Sequence, residues 1–324
     1  MAHALPHQEA TGVKFDWVEM PFGYEHYKRG GEYVGEKHLE AFDDIRVLFK
    51  GPLTINPQEN FYAEIRGRRY TSGNQVFRKL FQLYANLRPV RSVAGLPDVP
   101  FSGVDLVIVR ENTEDVYTGE ERWAGPDTVE CTKRVSRGAS RRIACFAAAL
   151  AGKEGRGRVT VVHKANVCRQ SDGLFLSECL HTLRGHGGTF AIDDCLADSL
   201  LYDLVRRPQE YDVLLCPNLY GDLVSDLAGG LIGSLGLCGS ANIGDGHALF
   251  EPAHGSAPDI AGRGLANPSS QILSGVMMLR HLGEVEAAEM VERALHRALL
   301  GNRTPDLGGK ASTKQFVDCV LSHL

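Results

Sequence analysis

"PNLYGDLVSDLAGG", residues 217 to 230, sets Asp222 and Asp226 four positions apart in a stretch with no other charge and closes it with Gly229 and Gly230. On a helix, residues four apart share one face, with Cβ atoms about 5–6 Å from each other. Two carboxylates at that separation repel. Helix capping or arginine partners relieve the repulsion, and so does a hard divalent cation such as Mg²⁺ or Mn²⁺, which takes oxygen ligands and calls for a third acidic residue nearby. Spacing alone leaves both readings open.

The flanking sequence supplies the scaffold for such a helix. Apolar runs at Asp105 to Val109 ("DLVIV"), Val159 to Val162 ("VTVV") and Val213 to Leu215 ("VLL") have strand character and polar or Gly/Pro borders. Helix-like stretches, Leu174 to Leu183 and Ser199 to Arg206, alternate with them, the pattern of an α/β layered fold. Glu284 to Leu300 has apolar residues at helical spacing, with Gly301 as a stop signal, and reads as a packing helix. No G-x-G-x-x-G follows a strand, so a Rossmann dinucleotide site is not expected.

With 324 residues, 43% of them hydrophobic, the chain can bury a sizeable core, and its length suits two domains. A net charge of -5 gives no basic footprint for nucleic acid or an anionic membrane, and the basic run Lys133 to Arg142 reads as a solvated face. Eight cysteines without a C-x-x-C pair suit a reducing compartment. No apolar run approaches the roughly 20 residues that span a bilayer, and the start resembles no secretion signal, so the expected location is cytoplasmic.

Three further stretches carry candidate chemistry. "YTSGNQVFRKLFQLYANLRPVR" gathers Ser72, Asn74, Arg78, Arg88 and Arg91, and Arg110 follows a strand in "VIVRENTEDVY". Guanidinium groups in that number suit a ligand with several carboxylates, although surface arginines are common. In "VVHKANV", Lys164 leaves a strand and can accept a proton if neighbours lower its pKa, while His163 reads as a packed or hydrogen-bonded residue. Residues 241–268, "ANIGDGHALFEPAHGSAPDIAGRGLANP", are dense in small residues that let a ligand approach the backbone.

"FKGPLT", "LYANLRPVR", "VIVRENTEDVY", "VTVVHKANV", "NLYGDLVSDLAGGLIGSLGL", "SANIGD", "FEPAHGSAPDIAG", "ANPSSQILS" and "TPDLGG", in this order, resemble the signatures of the β-decarboxylating dehydrogenases, the isocitrate, isopropylmalate, homoisocitrate and tartrate enzymes. The resemblance runs from about Lys50 to Phe316. It implies an α/β isopropylmalate/isocitrate dehydrogenase-like fold: a large cofactor-binding domain from residues 1–83 and 235–324, and a small domain, 84–234, with a dimer-forming arm near 115–136. Carried over by position, Asp222 and Asp226 match the metal carboxylates, joined by Asp198 of a second subunit. Ser72, Asn74, Arg78, Arg88 and Arg110 match the substrate contacts. Tyr117 and Lys164 match the catalytic pair, Lys164 reaching across a homodimer interface. Thr54, Glu251, His254, Gly255, Ser256, Ala257, Asp259, Ile260, Asn267 and Asp306 match cofactor contacts.

The implied chemistry is metal-assisted. Loss of the substrate hydroxyl proton toward Lys164 accompanies hydride transfer to a nicotinamide, CO₂ leaves, and Tyr117 returns a proton to carbon. Asp259 and Ile260 stand where NADP-using members resemble one another in having lysine and tyrosine, and a carboxylate there suits the ribose hydroxyls of NAD. Pro305 and Gly309 agree, since NADP-type members place tyrosine and arginine at those positions. Ser72 and Asn74 favour isocitrate as substrate. "RENTEDVYTGEER" and the tail from His281 read closer to homoisocitrate enzymes, and Arg66, Arg68 and Arg69 in the insertion-like "NPQENFYAEIRGRRY" suit a longer or more charged group such as a phosphonate; isopropylmalate is a further alternative. The family's opening strand and "GDGIGPE"-like turn have no counterpart, and "EATGVKFDWVEM" reads as the end of a first helix and a second strand. That departure leaves a non-catalytic partner subunit as the alternative of another class.

Overall fold

The computed structural model describes residues 11–54 and 63–324. Residues 56–62 of the insertion-like stretch, and Glu9 and Ala10 of the first matching stretch, lie outside them. Twelve strands are described: β1 (Val47–Phe49), β2 (Ala63–Ile65), β3 (Arg68–Tyr70), β4 (Ala85–Arg91), β5 (Asp105–Glu111), β6 (Glu121–Trp123), β7 (Val129–Cys131), β8 (Arg158–His163), β9 (Ala191–Leu196), β10 (Val213–Cys216), β11 (Gly239–Ile243) and β12 (Ala248–Pro252). Eight of them form one sheet in the order β1-β12-β11-β4-β5-β10-β8-β9. The β5, β10, β8 and β9 neighbours are parallel, whereas β4 and β11 run antiparallel to both of their neighbours. This mixed order is not the all-parallel Rossmann arrangement.

The three apolar runs expected as strands form β5, β8 and β10. Their continuous hydrophobicity follows from burial on both faces. Leu106, Ile108, Leu214 and Cys216 point into one core with helices Asn218–Leu231, Ser269–His281 and Val285–Gly301. Val107, Val109, Val213 and Leu215 point into the other, with helices Arg137–Glu154 and Ser171–His186. The expected packing helix is Val285–Gly301, with Gly301 as its last turn residue and Asn302 as its C-cap. Helix Ala197–Leu204 stops short of Arg206, capped by Val205.

One expectation is corrected and another refined. Residues 13–20 make no strand: Phe15 packs on the core and Trp17 lies 6.4 Å from the Phe49 ring, so the stretch docks by its side chains without ladder bonds. The basic run Lys133 to Arg142 is solvated at Arg134, Arg137 and Arg141, as expected, but it is also tied down by ion pairs. Lys133 pairs with the fully buried Asp172, and Arg137 and Arg141 both pair with Glu178. Within 115–136, β6 and β7 form an exposed hairpin whose Trp123 is 71% exposed. Among the described residues no helix is long and apolar enough to cross a membrane.

Candidate functional site

Helix Asn218–Leu231 carries the acidic pair, and adjacent strands β4 and β5 bring Arg88 and Arg110 up to it. Arg110, 1% exposed, donates through Nε to Asn218 Oδ1 at 2.9 Å and through Nη1 to Asp222 Oδ1. Its stem passes against the helix at Gly221, where a Cβ would lie 2.6 Å from Arg110 Cγ and 2.7 Å from its Cβ. Glycine is required here by close approach. Arg88 Nη1 donates to Ser225 Oγ at 2.5 Å and lies 3.3 Å from Asp222 and 3.4 Å from Asp226.

The start of this helix is held by Asp115, a non-glycine residue at φ 70. One Asp115 oxygen accepts from Leu219 N at 3.0 Å and the other from Val116 N at 2.9 Å. The short turn Val116–Thr118 is thereby fixed to the helix, and Tyr117 Oη donates to Asp222 Oδ2 at 2.5 Å. Burial and this hydrogen bond hold the Tyr117 hydroxyl above its ordinary pKa, so it stays protonated near neutral pH.

The two carboxylates are not equivalent. Burial pushes Asp222 up, but the charges of Arg110 and Arg88 outweigh it and leave the carboxyl below its usual range. Asp226 has Arg88 alone at longer reach; burial, with the Asp222 charge adding to it, pushes this carboxyl up. The arginine-partner reading thus holds for Asp222, while the Asp226 side chain is 57% exposed and open to a cation. The pair fits a hard divalent metal as two oxygen donors. Among the described residues no group of three His, Cys, Asp or Glu side chains converges as a metal site within one chain.

Lys164 and Asp198 pair with each other, not with Asp222 or Asp226. Asp172, which the sequence reading passed over, accepts from Lys164 N at 2.7 Å and so fixes the backbone at that lysine. Its signal is an acidic residue in the first turn of the helix after "HKANV". His163 is, as expected, a hydrogen-bonded histidine, 3.0 Å from Asp194 and accepting from Ala165 N at 3.1 Å.

Arg78 lies on helix Gly73–Leu80, where Ser72 is the N-cap, its hydroxyl accepting from Gln75 N at 3.1 Å. The Asn74 side chain enters no hydrogen bond among the described residues, and its Oδ1 is buried. Arg78 donates to Asn242 Oδ1 at 3.1 Å and to Glu251 Oε1 at 3.1 Å. Glu251, on β12, also takes Lys50 and Asn242 Nδ2 at 2.9 Å. Burial opposes its ionisation, but Lys50 and Arg78 hold its carboxyl down to about 2. Asn242 and Lys50 escaped the sequence reading because their partners are distant in the chain.

The segment after β12 supplies the remaining candidates. His254 Nδ1 lies 2.8 Å from Gly255 O, Ala257 takes φ 42, and Gly255, Ala257 and Asp259 are exposed. A Cβ at Gly255 would meet nothing within 4 Å, which leaves an open cradle beside Ser256 and Ile260. Asp306 gathers three loops: it accepts from Ser234 Oγ at 2.6 Å, Asn267 Nδ2 at 3.0 Å and Thr304 Oγ1 at 2.5 Å. Thr54 is half-buried at the end of the first described segment. Open backbone with an exposed carboxylate suits the adenosine ribose of NAD.

A mixed α/β sheet that presents a carboxylate pair, three guanidinium groups and a protonated tyrosine defines an enzyme for multiply charged acids. The model of the family described as isocitrate/isopropylmalate dehydrogenase matches residues 4–320, and the chain belongs to that family. It is 46% identical to the 3-isopropylmalate dehydrogenase of Methanothermobacter thermautotrophicus, an alignment covering all of this chain and 94% of that one. It is 41% identical to isocitrate dehydrogenase [NAD] catalytic subunit 5 of Arabidopsis thaliana, over 97% of this chain and 82% of the relative. The crystal structure of isocitrate dehydrogenase from Methylococcus capsulatus superposes with a TM-score of 0.90 at 40% identity, covering 97% of this chain and 92% of that one. The fold is that of the family, and the chain is an NAD-dependent decarboxylating dehydrogenase of hydroxy acids, with a divalent metal as the family's further cofactor.

Proposed function

We propose that this chain oxidises and decarboxylates isocitrate to 2-oxoglutarate and CO₂, with NAD as acceptor. The observation that carries the choice of acid is the start of helix Gly73–Leu80. Ser72 accepts the helix N–H on one lone pair and keeps its own O–H to donate, while the Asn74 side chain beside it makes no hydrogen bond among the described residues, which leaves its NH₂ to donate. Two polar groups at a helix N-terminus favour a distal carboxylate over an apolar branch.

In this reading Arg88 and Arg110 hold the carboxylates nearest the reacting carbons, and Arg78, braced by Glu251, holds the next. Asp222, Asp226 and Asp198 of a second copy are the metal ligands; the bound cation supplies Lewis-acid stabilisation of developing negative charge. Lys164 of the second copy accepts the hydroxyl proton, and Tyr117, whose hydroxyl stays protonated, delivers a proton to carbon. Because Lys164 and Asp198 pair away from Asp222 and Asp226 within one chain, a homodimer completes the site in this proposal. Arg66, Arg68 and Arg69 are the feature that would favour a more charged substrate; Arg68 and Arg69 are exposed on β3, while Arg66 pairs with Glu36 at 2.9 Å.

The test is NADH formation by the purified protein with Mg²⁺ or Mn²⁺ and a panel of isocitrate, homoisocitrate, 3-isopropylmalate and a phosphonate analogue. Isocitrate is expected to give the highest kcat/KM, and EDTA to abolish turnover. A higher kcat/KM for another acid overturns the assignment of substrate. No NADH from any of them overturns the proposed reaction and favours the alternative of a partner subunit.

A further inference from the structure

The helix that carries Ser72, Asn74 and Arg78 also holds the backbone of Tyr117. Gln75 Nε2 donates to Tyr117 O at 2.9 Å, and one turn on, Lys79 Nζ donates to Thr118 O at 3.0 Å. The orientation of the Gln75 amide is settled independently: its Oε1 accepts from Thr71 N at 2.8 Å and from Thr71 Oγ1 at 3.2 Å, which turns the NH₂ toward the tyrosine turn. Lys79 reaches Thr118 with a partly buried ammonium, and burial lowers its pKa.

Tyr117 is therefore gripped from three sides. Asp115 fixes the turn to the start of helix Asn218–Leu231, Asp222 takes the hydroxyl, and helix Gly73–Leu80 takes the two carbonyls. The ring is half-exposed, with Arg110 Cζ 5.0 Å from its centroid, so packing alone gives it a loose seat. Residues three and four apart share a helix face. Gln75 and Lys79 thus face the turn while Asn74 and Arg78, each one position earlier, are aimed differently, Arg78 toward Glu251 and Asn242.

We propose that Gln75 and Lys79 are positioning residues for the known reaction: they tie the substrate-binding helix to the turn of Tyr117, so that capture of the acid at Asn74 and Arg78 sets where the tyrosine hydroxyl stands. The inference rests on the reading of Tyr117 as the proton donor and of this helix as the substrate contact. Neither residue touches the reacting atoms. Their loss acts through the aim of Tyr117, and the step it slows is delivery of the proton to carbon.

The experiment compares Gln75→Leu, Lys79→Met, Lys79→Arg and Tyr117→Phe with the unaltered protein, using NADH formation from the best acid of the panel, the solvent deuterium effect on kcat, and thermal shift. Gln75→Leu is expected to lower kcat by about fivefold to tenfold, the rate equivalent of one hydrogen bond, with KM within about twofold. The solvent deuterium effect rises, because a misaimed tyrosine makes proton transfer more rate-limiting. Lys79→Arg, which keeps a donor, restores what Lys79→Met loses. An unchanged kcat and deuterium effect in Gln75→Leu overturns the proposal. So does a rise confined to KM, or a fall in melting temperature and rate with the deuterium effect unchanged, which marks an ordinary structural contact. Full activity in Tyr117→Phe refutes the tyrosine reading itself, separately from any result at Gln75.

Discussion

Gly221→Ala tests the close packing under the carboxylate pair, because two effects of opposite sign meet at that residue. Gly221 lies inside helix Asn218–Leu231, where alanine gains about 1 kcal/mol of helix propensity over glycine. The added methyl, however, would stand 2.6 Å from Arg110 Cγ, 2.7 Å from its Cβ and 3.2 Å from its Cδ. Carbon atoms rest at about 3.5–4.0 Å, so helix and strand must part by roughly 1 Å. The arginine cannot swing aside: the contact is at the root of its side chain, the residue is 1% exposed, and its head is pinned by Asn218 and Asp222. Overpacking of this kind costs about 1–3 kcal/mol, which leaves a net loss of up to about 2 kcal/mol after the propensity gain. The melting temperature is expected to fall by a few degrees, roughly 2 °C for each kcal/mol in a chain of this size. The kinetic effect is larger, because the same shift displaces Asp222 on the helix from Arg110 on the strand. A misplacement of about 1 Å can cost about 10²-fold in rate, so kcat/KM should fall by about that factor. Differential scanning fluorimetry and steady-state NADH assays read both quantities. A Gly221→Ala protein that melts higher than the parent and keeps its kcat/KM would show that the helix and Arg110 do not touch as described.

Glu251→Gln removes the counter-charge shared by Lys50 and Arg78 and is expected to destabilise the chain by about 3–5 kcal/mol near neutral pH. The folded-state carboxyl sits at about 2 against an ordinary 4.5, so its ionised form contributes stability above pH 4.5 that is lost as pH falls toward 2. Denaturant melts across that window should show a steeper acid loss in the parent than in the variant, and parallel slopes would refute the pairing. Separately, Lys164→Ala and Asp222→Asn should each be inactive alone, and refolding the two together should recover part of the activity by building intact sites in mixed dimers. Failure of any mixture to recover activity argues against a site shared between copies.

Much of the scaffold is legible in the sequence because the strands β5, β8 and β10 are buried on both faces, which forces uninterrupted apolar runs whatever their partners. The antiparallel insertion of β4 and β11 into the sheet is not legible. It depends on residues 85–87 meeting residues 241–243, a pairing that leaves no local pattern. Residues 13–20 mislead for the reverse reason: the match to the family's second strand is local, whereas here Phe15 and Trp17 dock on the core and the backbone joins no ladder. The buried polar cluster under Arg78 is hidden in the same way, since Asn242 Oδ1 receives Arg78, Asn86 and Asn112 from three other elements.

The acidic pair shows where local reading ends. Asp222 and Asp226 are the same residue type on one helix face, and spacing treats them alike. In the fold their carboxyls shift in opposite directions, because Arg110 enters at Gly221, one residue before Asp222 and five before Asp226. A glycine thus decides which carboxylate is bound tightly to the arginines and which is left open. The sequence holds that information in "YGDLVSD", but it becomes readable when strand β5 is laid against the helix. In the proposed reading the asymmetry has a use: the open Asp226 would be left to a cation, and Asp222, held ionised by the arginines and in contact with Tyr117, would link that cation's site to the proposed proton donor.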